Sequence, residues 1–363
     1  MTAGLGGLLL AAGTARAETH ANLQSVNANG TSAWSGSTPF TITGVLLSDP
    51  DEMLDSTPDF VPWNGGANMF NLGAEWQIAF QATNGDWGGT FCYMGQCYGN
   101  MPWKGSDDLS YSNAAWTLEI LRLNYDPETL HRFQAGDLIQ VTANATSDYG
   151  GKRNITEDHS IEPANNFTIS LVTSNYGLPD PQVITLADVK NANDTYIFDQ
   201  TRATGGEHYQ AMRVRINNLT LTTTNGWNAT NTWGNRKCTA TDGAGRTFSL
   251  RHSRRDIGAA PTGTFDAIGI FNQESGSGSQ GTNGYELIVQ QVVPQAEQTL
   301  AIAQKAAITW PLSGAAYQVE YSTDLSSTNW YAVTNTPVVI EGQNTVLDSM
   351  TNSHRFYRLR KTN

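Results

Sequence analysis

The chain has 363 residues, of which 15% are charged, and a formal net charge of -12. That length exceeds one ordinary core and implies about two or three domains, large enough to fold without metal or disulfide staples. The acidic balance excludes a general attraction to nucleic-acid phosphates, so nucleic-acid binding would need a local basic surface.

The chain opens MTAGLGGLLLAAGTARAETHA, with an apolar run from Leu5 to Ala12 followed by Ala15-Arg16-Ala17. Small residues in that spacing match a secretory cleavage site, although no basic residue precedes the run. Residues 1–17 therefore read as a signal peptide, with a mature start near Glu18 and a linker over 18–36. No later stretch approaches the ~20 apolar residues of a membrane span. The chain is expected outside the cytoplasm: extracellular, at the cell surface or in the periplasm. The abundant Asn, Thr, Ser and Gly suit an exported β-protein.

From Pro39 the pattern is strands. FTITGVLL (Phe40 to Leu47), EWQIAFQAT (Glu75 to Thr83), GGTFCYMG (Gly88 to Gly95), AWTLEILRL (Ala115 to Leu123) and DLIQVTANA (Asp137 to Ala145) alternate or run apolar, and Gly, Asn, Asp and Pro punctuate them. DPETLHRF, Asp126 to Phe133, reads as a short helix, because Asp126 can cap it and Pro127 suits its first turn. A short helix between the third and fourth of five strands is the order of a small Greek-key barrel, the OB-fold. Cys92 and Cys97 flank a Gly in FCYMGQCYG, a spacing that permits a bridge across a hairpin in an oxidising compartment. Cys238 reads as a small buried hydrophobe. In SDPDEMLDSTPD, Asp49, Asp51 and Asp55 form a weak candidate for Ca²⁺, since Met53 and Leu54 break the EF-hand register. The pair Asp107 and Asp108 is less specific still.

NYGLPDPQVITLADV, Asn175 to Val189, reads as a linker, and a second set of strands follows: Tyr209 to Leu221, Arg236 to Asp242, Arg246 to His252, Thr264 to Gln273 and Tyr285 to Val292. TDGAG, Thr241 to Gly245, supplies a tight turn. TFDAIGIFNQESGSGSQGTNGYELIV (Thr264 to Val289) and GDLIQVTANATSDYGGKRNITE (Gly136 to Glu157) share one layout: a strand, a polar loop and a closing strand. Two similar barrels, over 37–177 and 178–293, explain the repetition; one large β-sandwich is the competing architecture. The entries TITGV and MRVRINNLTL, the run GDLIQVTA and the linker LPDPQVITLADV make residues 37–293 resemble the tandem OB-fold-like regions of secreted bacterial proteins, some of which accompany extracellular nucleases. The resemblance rests on scaffold motifs and implies a fold more than an activity.

Residues 294–363 differ in character. AYQVEYSTDLSSTNWYAV (Ala315 to Val333) and HRFYRLR (His354 to Arg360) are similar to the fibronectin-III-like β-sandwich modules that end many secreted bacterial proteins. Tyr317, Val319, Tyr321, Trp330, Phe356, Tyr357 and Leu359 are expected to form its core. By fold-level analogy such a module attaches a protein to the cell envelope or spaces it. The fold class expected is thus all-β: two OB-like Greek-key barrels and a small β-sandwich.

For chemistry, the zinc-protease, phosphate-loop, nucleophile-elbow and paired Cys-x-x-Cys motifs are absent, and the six histidines are scattered. The chain reads as non-enzymatic, with no cofactor; a divergent hydrolase assembled in three dimensions is the alternative. The main charge feature is Arg236, Lys237, Arg246, Arg251, Arg254 and Arg255, with Asp242 the sole acid among them. OB barrels bind oligonucleotides or oligosaccharides across strands 2 and 3, where this run falls. Trp227 and Trp233, with Tyr209 and Phe248, lie near enough to stack on bases. The rival ligand is carbohydrate: Trp34, Trp63, Trp87, Trp103, Trp227 and Trp233 stand beside turn residues, and an exposed ring stacks on a sugar face. The expected function is a secreted or envelope protein presenting barrel loops to an extracellular polysaccharide or single-stranded nucleic acid. Its variant is an accessory protein of an extracellular nuclease system.

Overall fold

The computed structural model describes residues 15–65, 71–83, 85–99, 109–276, 281–295, 305–312, 316–349 and 354–362. Most of the expected signal peptide (residues 1–17), Trp103 and the pair Asp107 and Asp108 lie outside them. The protein is mainly β and divides into two units, residues 1–295 and 296–363. No described helix is long and apolar enough to cross a membrane.

The first part of the larger unit comprises β1 (Arg16–Ala17), β2 (Phe40–Leu46), β3 (Glu75–Gln81), β4 (Gly89–Gly95), β5 (Leu138–Ala143), β6 (Ala145–Tyr149), β7 (Lys152–Thr156) and β8 (Thr168–Thr173). The sheet runs β6-β7-β4-β3-β2-β5-β8, with β1 on β2. Neighbours are antiparallel except β4 with β7 and β1 with β2. Because only Asn144 separates β5 from β6 in the chain, the two sides of the sheet meet and it curls on itself. Period-2 alternation directs the core: in β5, Ile139, Val141 and Ala143 point inward while Gln140 is exposed. Trp76, Ile78 and Phe80 of β3 join them, with Phe40, Cys92, Met94 and Ile155. Just past Ala17 the chain is already part of this body. His20 is fully buried, its ring nitrogens 2.9 Å from Thr90 Oγ1 and 3.1 Å from the Thr43 carbonyl.

Two local expectations are corrected. Ala115 to Leu123 is not a strand but lies in a helix, α2 (Asn113–Asn124), following the four-residue α1 (His20–Leu23). Ser112 Oγ caps α2 by accepting from Ala115 N at 3.2 Å. Trp116 and Leu123 are buried with Ile120 packed beside them, whereas Leu118 and Leu121 are exposed, a helical and not an alternating spacing. Conversely, Asp126 to Phe133 is a turn. Leu130 sits at φ 58, which ends any right-handed helix, and the Asp126 carboxylate accepts from Thr129 N, Thr129 Oγ1 and Leu171 N instead of starting one.

The second part holds β9 (Gln182–Ile184), β10 (Arg213–Leu221), β11 (Lys237–Thr241), β12 (Thr247–His252), β13 (Phe265–Gln273), β14 (Tyr285–Pro294) and the short α3 (Gly205–His208). β10, β11, β12, β14 and β13 close into a five-stranded barrel, β10 pairing with both β11 and β13. β12 and β14 are parallel; the other barrel pairs are antiparallel. The segment after Pro179 is built in: β9 pairs with β10, and Leu186 and Val189 are buried in this barrel's core. Gly243 and Gly245, at φ 75 and 92, make the β11–β12 turn.

β3 and β13 are buried on both faces, and this joins the two parts. Phe265, Ala267 and Phe271 fill the second barrel, while Ile270 from β13 and Ala79 from β3 enter a shared cluster with Leu47, Met53, Leu54, Phe91, Ala211 and Ile288. Each large apolar side chain so buried contributes about 1.5–3 kcal/mol.

In the C-terminal unit, β15 (Lys305–Pro311), β19 (Gln343–Ser349) and β18 (Val338–Ile340) form one three-stranded sheet, and β17 (Tyr331–Ala332), β16 (Tyr317–Ser322) and β20 (Phe356–Lys361) another. Trp310, Val319, Val333 and Val346 make the core, with Tyr317, Tyr321 and Tyr357 against it. Phe356 and Leu359 are exposed, contrary to expectation, and Trp330 packs beneath Arg358, 4.3 Å from its ring centre.

Candidate binding cleft

The basic run does not form a cationic surface. Arg236 and Arg251 are 1% exposed. Arg251 forks onto Glu286, Nε to Oε1 at 2.8 Å and Nη2 to Oε2 at 3.0 Å, and Lys237 Nζ reaches Glu286 Oε2 at 2.9 Å. Register explains the convergence: β11 places Lys237 opposite Arg251, and β12 lies beside the β14 strand that carries Glu286. Burial alone would raise the Glu286 carboxyl, but the two cations outweigh it and hold it below its ordinary value. Arg236 donates to the His252 and Met53 carbonyls at 2.8 and 2.6 Å. Arg246 pairs with Asp242, Arg254 with Asp55, and Arg255 with Glu52 at 3.6 Å. An acidic chain supplies a carboxylate for almost every cation of the run, so little positive charge is left for a phosphate backbone.

The other nominated residues are also committed. Asp49 accepts from Ala135 N, Asp51 pairs with Arg132 and Asp55 with Arg254, so the three carboxylates face different partners. Among the described residues, no group of three His, Cys, Asp or Glu side chains could hold a metal ion. The Cys92–Cys97 bridge is not made: Cys92 points from β4 into the core, fully buried, while Cys97 Sγ turns to the Gly99 carbonyl at 3.1 Å. Cys238 is also a free, buried thiol. Trp34 donates to Glu18 and lies under Arg153, Trp87 is held by Arg202 and His208, and Trp63 is half-buried. Trp227 packs against the second core and donates to the Gly258 carbonyl.

Trp233 is different. It opens a 3-10 turn (Trp233–Asn235), and the buried Arg251 guanidinium lies 3.7 Å from its ring centre, with Arg236 at 5.3 Å. Arg251 Nη1 also donates to the Trp233 carbonyl. The ring is thus pinned from behind by a cation that Glu286 fixes in turn. It remains half-exposed and forms a wall of two cavities, of about 240 and 230 Å³.

The first cavity lies where the β3, β4, β6 and β7 face of the first part meets the second barrel. Glu75 and Gln77 come from β3, Tyr93 from β4, Ser147 and Tyr149 from β6, and Lys152 and Asn154 from β7; Leu54, His159 and Glu274 complete the lining with Trp233. Tyr93 donates to Glu75 Oε1 at 2.7 Å. Burial raises the Glu75 carboxyl, the Tyr93 hydrogen bond opposes that rise, and the nearby Glu274 charge adds to it. Lys152, fully enclosed, donates to the Gln273 carbonyl at 2.5 Å and lies 3.5 Å from Glu274 Oε2, and burial lowers its pKa. Asn154 is 4% exposed, and its Oδ1 has no protein donor. The His159 ring stacks on Tyr98, centroids 5.0 Å apart and planes 4° from parallel. It is presented by two successive left-handed residues, Asp158 and His159 at φ 58 and 51, a conformation that costs about 1–3 kcal/mol per residue and tends to occur at sites.

The cleft offers flat aromatic walls, carboxylate and amide acceptors, and cations that are already engaged, Lys152 in the first cavity and Arg236 and Arg254 in the second. It therefore favours ligands rich in hydroxyl or amino groups and disfavours anions. Of the first cavity's lining, sequence reading nominated Trp233 alone; it also nominated Arg251 behind that ring and Asp55, Arg236 and Arg254 of the second cavity. The rest come from strands and loops far apart in the chain, and the usable signal was a charged residue inside an apolar strand, as with Glu286 in YELIV. Comparison of the chain with protein-family models, with curated proteins and with solved structures gives no match.

Proposed function

We propose that the protein is an exported, non-catalytic binding protein for an extracellular saccharide polymer built of neutral or amino sugars, and that the cleft around Trp233 is its site. The observation that carries this reading is the Trp233 ring, pinned by Arg251 and flanked by Glu75. A fixed aromatic face loses little entropy when a sugar ring stacks on it, and a neighbouring carboxylate accepts from hydroxyl pairs. The closed five-stranded order of the second barrel, with its parallel β12–β14 pair, supports reading the scaffold as OB-like. In this proposal the C-terminal unit, read as a fibronectin-III-like module, attaches the protein to the envelope. The nucleic-acid alternative loses its support because its cations are buried or paired.

The test is tryptophan fluorescence of the full chain titrated with soluble dextran, xylan, hydroxyethyl cellulose and glycol chitin. A saturable shift with at least one of them, absent in Trp233→Ala, is the expected result. No shift with any, or an equal response in Trp233→Ala, overturns the proposal.

A further inference from the structure

We infer that the two cavities are subsites of one groove, so that the ligand is the interior of a glycan chain threaded past Trp233 and not a terminal or single sugar. This rests on the saccharide reading above. Leu54, Glu75 and Trp233 line both cavities, so the two spaces lie side by side along one wall. Either volume alone, about 240 or 230 Å³, falls below the roughly 300 Å³ at which ordinary small-molecule sites begin; the two joined lie within that class.

The chemistry on the two sides differs as a chain-binding groove requires. The inner side is aromatic and charged, with Tyr93, Tyr149 and the Lys152–Glu274 pair. The outer side is lined by small hydroxyl and amide groups, Thr57, Thr230, Asn231 and Thr232, beside the Asp55–Arg254 pair. Trp233 at the waist is held from within by Arg251 and Arg236. One sugar ring stacks there, and its neighbours on either side along the chain fall into the two subsites. Arg251 and Glu286 are positioning residues in this arrangement, acting on the ligand through Trp233.

Isothermal titration of the full chain with chito-oligosaccharides and cello-oligosaccharides of two to six units tests the groove. Affinity is expected to rise at least tenfold from the shortest to the longest member of the series that binds. Thr230→Trp, at an exposed position in the outer subsite, is expected to abolish that gain. Equal affinity for two and six units overturns the groove and leaves the saccharide reading standing. Absence of binding by every length, together with no response to the soluble polymers, overturns both.

Discussion

Replacing Glu286 by Gln keeps the side chain's shape and removes the charge that compensates Arg251. In the native fold Glu286 is 1% exposed and accepts from Arg251 twice, from Lys237 and from Asn272 Nδ2. Gln retains one acceptor oxygen, but it leaves a guanidinium that is itself 1% exposed with no counter-charge in contact. Breaking a buried pair from one side costs about 3–5 kcal/mol, because the stranded charge loses its partner without regaining water. At about 2–4 °C per kcal/mol for a body of this size, the melting temperature of the larger unit should drop by about 6–20 °C. The double variant Arg251→Met with Glu286→Leu should be less destabilised than either single one, since no buried charge is then stranded and Lys237, 38% exposed, regains water. Calorimetry of the full chain at neutral pH reads both effects. A Glu286→Gln protein within about 1 kcal/mol of the parent, or a double variant worse than the sum of the singles, would refute the view that this pair is a closed internal device.

Three further outcomes follow from the same geometry. Burial pushes the Glu157 carboxyl up to about 7, so between its ordinary 4.5 and that value the folded chain keeps a proton that the unfolded chain has released. Stability therefore falls as pH rises through this window and levels off above it; Glu157→Gln should flatten the fall and be more stable than the parent at pH 8 by up to about 3 kcal/mol, and denaturant titrations showing identical pH slopes would contradict this. Thiol titration of unreduced, unfolded protein should find all three cysteines free, whereas a single reactive group would restore the Cys92–Cys97 bridge. Fluorescence anisotropy of labelled single-stranded DNA should show no binding at low salt. Binding lost on changing Arg254 and Arg255 to Ala would instead show that the ion pairs with Asp55 and Glu52 open to admit phosphate.

The elements that could be read from the chain are those in which one face alone is buried. β5 and β11 show it as alternation, and the Asp-Gly turn at Asp242–Gly243 announces its hairpin. AWTLEILRL escaped because its apolar residues satisfy both periods until the position of the core is known, and only then does the exposure of Leu118 and Leu121 decide for a helix. The cluster of cations was visible and its meaning was not. A run of Arg and Lys looks alike whether it meets solvent or a carboxylate from β14, and the partner Glu286 lies 35 positions from Arg251. The cleft was the least legible part. Glu75, Tyr93 and Lys152 belong to separate strands and Glu274 lies just past the end of β13, and their meeting depends on packing between the two halves of the larger unit.

The most direct measurement is a crystal structure of the full chain soaked with chitopentaose or cellopentaose, whichever titrates more tightly. The account predicts a sugar ring against the open side of Trp233, with hydroxyls on Glu75 and neighbouring units running into both cavities. Sugar density on another surface, with the Trp233 cleft filled only by solvent at a concentration that saturates binding in solution, would contradict it.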